Sequence, residues 1–199
     1  MIVRYFQVYS VYYMLTNTPT KNTNQVTHHA AILPELSCPA CGTSYQQCCA
    51  PLHSGVATAD TPEALMRSRY SAYALGLYDY IVATYVTAER VKLTVNDIAT
   101  SAAQTTWIAL QVLNSKILPQ SVNDAGQIYG EVEFKVFYSE AKSLYCLHER
   151  SKFIQEDTQW RYQNGVFLAQ NGAIKLNRND PCCCGSSKKF KQCCLLKLR

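Results

Sequence analysis

The 199-residue sequence predicts an α+β fold in which helices come first, strands follow, and a cysteine-rich segment lies towards each end. Three observations carry this. Apolar residues recur at helical spacing in the first half of the chain, then alternate with a period of two from Ile108 onward. The helices precede the strands as a block, so a repeating βαβ unit with a parallel sheet is not expected. Nine of the ten cysteines fall in two segments with one pattern: two close cysteines, a Gly turn, a spacer and an adjacent Cys pair.

Residues 1–35 read as an extension and linker. Residues 1–15 are apolar and aromatic (Tyr5, Phe6, Tyr9, Tyr12, Tyr13), and suit a strand or an extension ahead of a start at Met14. Arg4, Gln7 and Ser10 interrupt the stretch, which is too short to span a bilayer and lacks a small-residue cleavage site. Residues 16–29 are Thr/Asn-rich and polar, with His28 and His29 exposed in a linker.

Residues 36–56 hold Cys38, Cys41, Cys48 and Cys49, which can form a thiolate tetrahedron of the kind that binds structural Zn²⁺. Gly42 permits the tight turn after the first pair. His53, four residues after Cys49, is an alternative ligand. A disulfide framework fits less well, because Cys48 and Cys49, the run Cys182 to Cys184, and Cys193 and Cys194 are adjacent in sequence and a bridge needs converging Cβ vectors. Bridges between the two segments stay open at this point. The cysteine usage and the absence of a signal peptide favour a reducing cytoplasm.

Residues 57–172 form the middle domain. Thr61 caps a helix, Pro62 suits its first position and Gly76 ends it. Met66, Tyr70, Tyr73 and Leu77 make one stripe, flanked by Arg67 and Arg69 on opposite sides. Residues 80–85 read as a short helix capped by Asp79, and residues 88–103 as a third. Ile108, Leu110 and Val112 alternate in a first strand, and residues 115–126 are a polar connection. Val132, Phe134, Val136 and Tyr138 alternate in a second strand. Residues 144–154 make a third, and residues 160–168 a fourth around a turn at Gln163, Asn164 and Gly165.

The third strand is the place to look for chemistry. Alternation puts Tyr145, Leu147, Glu149, Ser151 and Phe153 on one face and His148, Arg150 and Lys152 on the other, with Cys146 on the His148 side as a small buried hydrophobe. Glu149 therefore points inward, where a carboxylate needs a partner. Arg67 or Arg69 supplies it in a structural ion pair, or else Glu149, Arg67, Arg69, Tyr70 and Tyr73 line a pocket in which the acid handles a ligand or acts as a base. His148 pairs across the strands with Glu133. No nucleophile–base pair, phosphate loop or metalloprotease pattern appears in the sequence.

Residues 173–199 hold the second cysteine segment and a basic tail. From Asn171 onward seven basic residues face one acid, a net +6 against −1 for everything before it. Such a tail suits an acidic protein, nucleic acid or an anionic surface. Phe190 is its single aromatic, short of the interleaved aromatics that stacking on nucleic acid requires.

The run from Pro181 to Cys194 resembles the SEC-C motif, a zinc knuckle also found at the C-terminus of the preprotein translocase ATPase. With a second knuckle at the other end, with Leu65 to Tyr73, and with His148 to Phe153, the chain from about Cys38 onward resembles the YchJ family. That resemblance implies a nuclear-transport-factor-2-like middle domain, a cone-shaped curved antiparallel sheet packed on helices. It also implies one Zn²⁺ on Cys182, Cys184, Cys193 and Cys194, and contact with acidic protein surface or ribosomal components. Cys183 stands where the pattern has Pro, so it is a spare thiol expected to project outward. The first knuckle has different gap lengths, and its loop must differ. The expected function is a cytoplasmic, non-catalytic zinc protein that docks to a protein or ribonucleoprotein through its basic C-terminal knuckle, without membrane insertion. The alternative is a small-molecule-binding protein or enzyme that uses the cone pocket.

Overall fold

The computed structural model describes residues 36–118 and 126–198. The expected strand and linker of residues 1–29 lie outside them. Among the described residues five helices precede the sheet: α1 (Ala50–His53), α2 (Pro62–Leu75), α3 (Tyr78–Ala83), α4 (Thr87–Arg90) and α5 (Val95–Ala102). Five strands follow: β1 (Thr106–Leu118), β2 (Tyr129–Glu140), β3 (Ser143–Glu156), β4 (Gln159–Phe167) and β5 (Gly172–Ile174). They form one antiparallel sheet in the order β1-β2-β3-β4, with β5 paired to the start of β3. The sheet thus runs two residues past the boundary expected at residue 172.

α2 is built as its sequence requires. The Thr61 hydroxyl accepts from the Ala64 N–H at 3.0 Å, Pro62 opens the helix, and Gly76 closes it in the left-handed region at φ 72°. Its apolar face packs on the inner face of the sheet, where Leu65, Met66 and Tyr70 meet Val132, Phe134, Val136, Leu147 and Phe153 in the main core. The start of α2 sits directly on β2, because a Cβ at Gly130 would collide with Pro62. The α+β class and the nuclear-transport-factor-2-like arrangement of helices on a curved antiparallel sheet are therefore what the structure shows.

Several local expectations give way. The short helix begins at Tyr78 after Leu77, so Asp79 lies inside its first turn and makes no cap. The single helix expected over residues 88–103 is two, α4 and α5. The break comes where Thr94 and Asp97 make a reciprocal capping box that starts α5 afresh. β1 extends to Leu118, into the stretch expected to be a connection. Ile108 does not share a face with Leu110. A bulge between Trp107 and Ala109 turns Ile108 to the outer face, where it is fully buried.

Gln163, Asn164 and Gly165 make no turn. β4 runs straight through them with a bulge at Gln163, and the hairpin turns lie instead at Ala141 with Lys142 and Asp157 with Thr158, all four at positive φ. Gly165 is required by closeness: a Cβ there would strike the Glu149 carboxyl. Among the described residues no helix is long and apolar enough to cross a membrane.

Candidate functional site

The two cysteine segments fold by the same local rules. In each, the N–H of a left-handed glycine bonds back to the first cysteine carbonyl: Gly42 to Cys38 at 2.8 Å, Gly185 to Cys182 at 3.1 Å. Each closes with an antiparallel bridge, Ser37 with Ser44 and Pro181 with Lys189. A single 3₁₀ turn begun by a buried aromatic, Tyr45 or Phe190, then leads into the cysteine pair.

No disulfide joins any of the ten cysteines. The sulfurs of Cys182, Cys184, Cys193 and Cys194 all lie within 4.8 Å of one another. Their contacts form a chain: Cys182 to Cys184 at 3.5 Å, Cys184 to Cys193 at 3.5 Å, and Cys193 to Cys194 at 4.0 Å. The N-terminal set forms a matching chain, Cys38 to Cys49 at 3.4 Å, Cys49 to Cys48 at 3.7 Å and Cys48 to Cys41 at 3.3 Å. A tetrahedron with sulfur about 2.3 Å from its centre has edges of about 3.8 Å. Both donor sets fit a metal ion. The mutually close N-terminal set comprises Cys38, Cys48 and Cys49; Cys41 contacts Cys48 at 3.3 Å and the Thr43 hydroxyl at 3.0 Å.

Each knuckle has one sulfur disposed to ionise first. The Cys38 thiol is pulled down to about 4, chiefly by its hydrogen bond with Cys49 and with help from Ser71, while burial pushes the Cys48 thiol up to about 11. At the other end burial opposes ionisation of Cys184, but its hydrogen bonds with Ser186, Cys182 and Cys193 outweigh it and bring the thiol down to about 6. Burial pushes Cys182 up to about 12. Filling either site with a cation therefore releases protons from the remaining thiols.

His53 is no ligand. Its ring nitrogens are taken by the Tyr45 hydroxyl at 2.6 Å and the Ser68 carbonyl at 2.9 Å, and burial lowers its basicity. It ties the first knuckle to α2. Cys183 does not project outward. It is buried with Ile108, Ala109, Phe137, Cys146, Phe190 and Cys194 in a second cluster, because the knuckle lies on the outer face of the sheet rather than in solvent. Lys197 anchors it further, its Nζ donating to the Ile108 carbonyl at 2.7 Å.

The cone interior brings together Arg69, Tyr70, Tyr73 and Glu149 around a cavity of about 50 Å³. Arg67 is not among them: it pairs with Glu63 one turn back at 2.8 Å and reaches the Ala40 carbonyl at 3.5 Å. The expected ion pair with Glu149 is also absent. Arg69 is buried, but its Nη1 donates to the Ile81 carbonyl at 2.9 Å and the Thr84 hydroxyl at 2.6 Å, and its guanidinium lies 4.6 Å over both the Tyr85 and Tyr162 rings. Glu149 Oε1 accepts from Ser151 at 2.5 Å and Tyr162 at 3.2 Å, and Oε2 is buried without a partner. Burial pushes the Glu149 carboxyl above the ordinary carboxylate range.

Tyr85 and Tyr162 carry no motif that marked them, and Ser71 lies far from the cysteines in sequence; only tertiary contact reveals these three, whereas Ser186 sits inside the second cysteine segment and acts locally. On the outer face His148 meets Glu133 at 3.0 Å as expected, and Arg150 grips the same carboxylate at 2.8 Å, so Glu133 stays below the usual carboxylate range.

Comparison with known proteins bears on both ends of this description. The family described as "YchJ, middle NTF2-like domain" matches residues 61–165, and the SEC-C motif matches residues 178–196. A UPF0225 protein of Vibrio parahaemolyticus is 40% identical over 171 residues, covering 79% of this chain and 98% of the relative. Another from Shewanella sp. strain MR-4 is 40% identical over 165 residues, covering 80% and 96%. The solution structure of a SEC-C motif containing protein from Rhodopseudomonas palustris superposes with a TM-score of 0.59 at 32% identity, covering 67% of this chain and all of that one. A crystal structure of a SEC-C motif containing protein from Psychrobacter arcticus gives 0.53 at 30% identity, covering 82% and 97%. With its middle domain matched over residues 61–165 and a relative 40% identical along 98% of its length, the chain belongs to the UPF0225 (YchJ) family.

Proposed function

We propose that this protein is a non-catalytic zinc protein of the cytoplasm whose C-terminal knuckle docks it onto another macromolecule, a protein or ribonucleoprotein with an acidic surface. The observation that carries the reading is the orientation of that knuckle. Its apolar side, with Phe190, Cys183 and Leu198, is committed to the sheet, while Lys188 and Lys189, in the loop between the ligand pairs, are exposed together with Lys175 and Arg178. Four thiolates and a borderline-soft cation with no geometric demands of its own favour zinc as the metal. The metal holds the loop in shape, and the loop presents the charge.

The test combines composition with capture. Protein purified without chelator should carry zinc, and a defined partner should co-purify from lysate with the wild type. Lys188→Glu with Lys189→Glu should abolish that recovery while leaving zinc content unchanged. Equal recovery by the charge-reversed protein overturns the docking reading, and a metal content well under one per chain overturns the zinc reading.

A further inference from the structure

Inside the cone a cation without a counter-ion and a half-satisfied carboxyl line the same small cavity. Arg69 is 5% exposed, and no carboxylate among the described residues lies within ion-pair distance of it. Glu149 is 1% exposed and has one carboxyl oxygen without any partner. A buried charge is costly unless it is paired, and so is a buried polar atom without a hydrogen bond. Of the polar groups in the lining, Ser151 and Tyr162 both donate to the other carboxyl oxygen of Glu149, and the apolar part of the wall includes Met66, Trp107 and Leu147. With the carboxyl protonated, the cavity presents one positive charge and one unused O–H donor.

We propose that the cone cavity is a binding site for a small monocarboxylate. The anion balances the Arg69 charge, one of its oxygens accepts from Glu149 Oε2–H, and its short apolar part lies against Met66, Trp107 and Leu147. The cavity, at about 50 Å³, sets the size at acetate or propionate, far below the roughly 300–1,000 Å³ of sites for drug-sized ligands. Tyr73 of α2 and Trp107 at the start of β1, ring centroids 5.2 Å apart, are half-buried members of the lining. The titratable groups facing Glu149 are Arg69 and Tyr73 from α2, Tyr85 beyond α3 and Tyr162 from β4. Of these, Glu149 alone is a carboxylic acid, so affinity falls as pH rises through its elevated ionisation. The site lies apart from the knuckles, and the adaptor reading stands or falls separately.

The experiment titrates the full chain with sodium propionate against sodium chloride at matched ionic strength. It reads melting temperature and the broadening of the propionate methyl signal in NMR, with zinc content measured in parallel. Propionate should raise the melting temperature saturably, as binding to the native state alone requires. Arg69→Met should weaken binding at least tenfold. Glu149→Gln keeps a donor in place of the O–H, so it should retain binding and lose the pH dependence. It also serves as the folded control should Arg69→Met prove unstable. A wild type that responds equally to propionate and chloride overturns the proposal, as does a Glu149→Gln protein whose affinity falls with pH as the wild type's does.

Discussion

The N-terminal knuckle places Cys38, Ala40, Tyr45 and Cys49 in the same buried cluster as Leu65, Met66 and Tyr70, whereas the C-terminal knuckle places Cys182, Cys183, Phe190 and Cys194 against Ile108, Phe137 and Cys146 on the far side of the sheet. One turn design is thus used twice, once as part of the main core and once as a cover laid over the finished sheet. The first knuckle is bonded into α2 through Ser71, 3.4 Å from both Cys38 and Cys49, and through His53. The second meets the sheet mainly through apolar side chains and the Lys197 clip. Identical ligand chemistry should therefore have unequal consequences when it is disturbed.

The largest effect expected is from a matched pair of half-buried ligands. Cys48→Ser should lower the melting temperature of the whole domain, because apparent binding energies of about 10–16 kcal/mol for a structural zinc feed straight into the main core. Cys184→Ser should remove one metal and leave the main transition near its wild-type position. Calorimetry with metal analysis reads both, and equal losses would erase the distinction between core and cover. The aromatic anchors repeat the comparison: Tyr45→Ala should cost about 3–5 kcal/mol of global stability, and Phe190→Ala should loosen the C-terminal knuckle alone, as hydrogen exchange would register.

Two changes in the cone should leave both metals untouched and so isolate the knuckles' share. Gly165→Ala forces a methyl onto the Glu149 carboxyl and should destabilise by about 1–3 kcal/mol; an unchanged melting temperature would mean that β4 yields easily. The Glu149 carboxyl is raised in the folded state, so its contribution is fully present below the ordinary value of 4.5 and is lost as pH rises through the elevated one. Glu149→Gln should remove that loss, and the difference between the two stability–pH curves is the measurement. A difference growing in the opposite direction would signal an ionised, paired Glu149. Smallest of all, Cys183→Ser should cost about 1 kcal/mol and leave zinc content unchanged; lost metal would make Cys183 a ligand.

Much of this architecture is legible in the sequence because it rests on local chemistry. Thr61, Pro62 and Gly76 bound α2 by backbone rules that hold anywhere, and the cysteine spacing forces sulfurs together within a dozen residues. What fails depends on partners distant in sequence. Asn164 with Gly165 carries a strong hairpin signal, yet the glycine is there because Glu149 presses against it. The turns actually used, at Ala141 with Lys142 and Asp157 with Thr158, contain no glycine to announce them. Cys183 reads as surplus until the sheet beneath it is known. Arg67 and Arg69 flank the apolar stripe of α2 on opposite sides, and only the packing of α3 and β4 selects Arg69.

The bulge at Ile108 has a bearing on self-association. β1 is an edge strand, and an edge with free carbonyls is a template for pairing with another chain. The bulge breaks the ladder at Ile108, and Lys197 takes up the carbonyl there, so the C-terminal knuckle guards part of that edge. Further along, Leu113 and Ile117 remain exposed beside Lys116. Stripping the C-terminal metal should thus bare a continuous, partly apolar strand border, and the chelated protein should form oligomers at concentrations where the metal-loaded form stays monodisperse. A metal held there would then limit aggregation as well as shape the lysine loop.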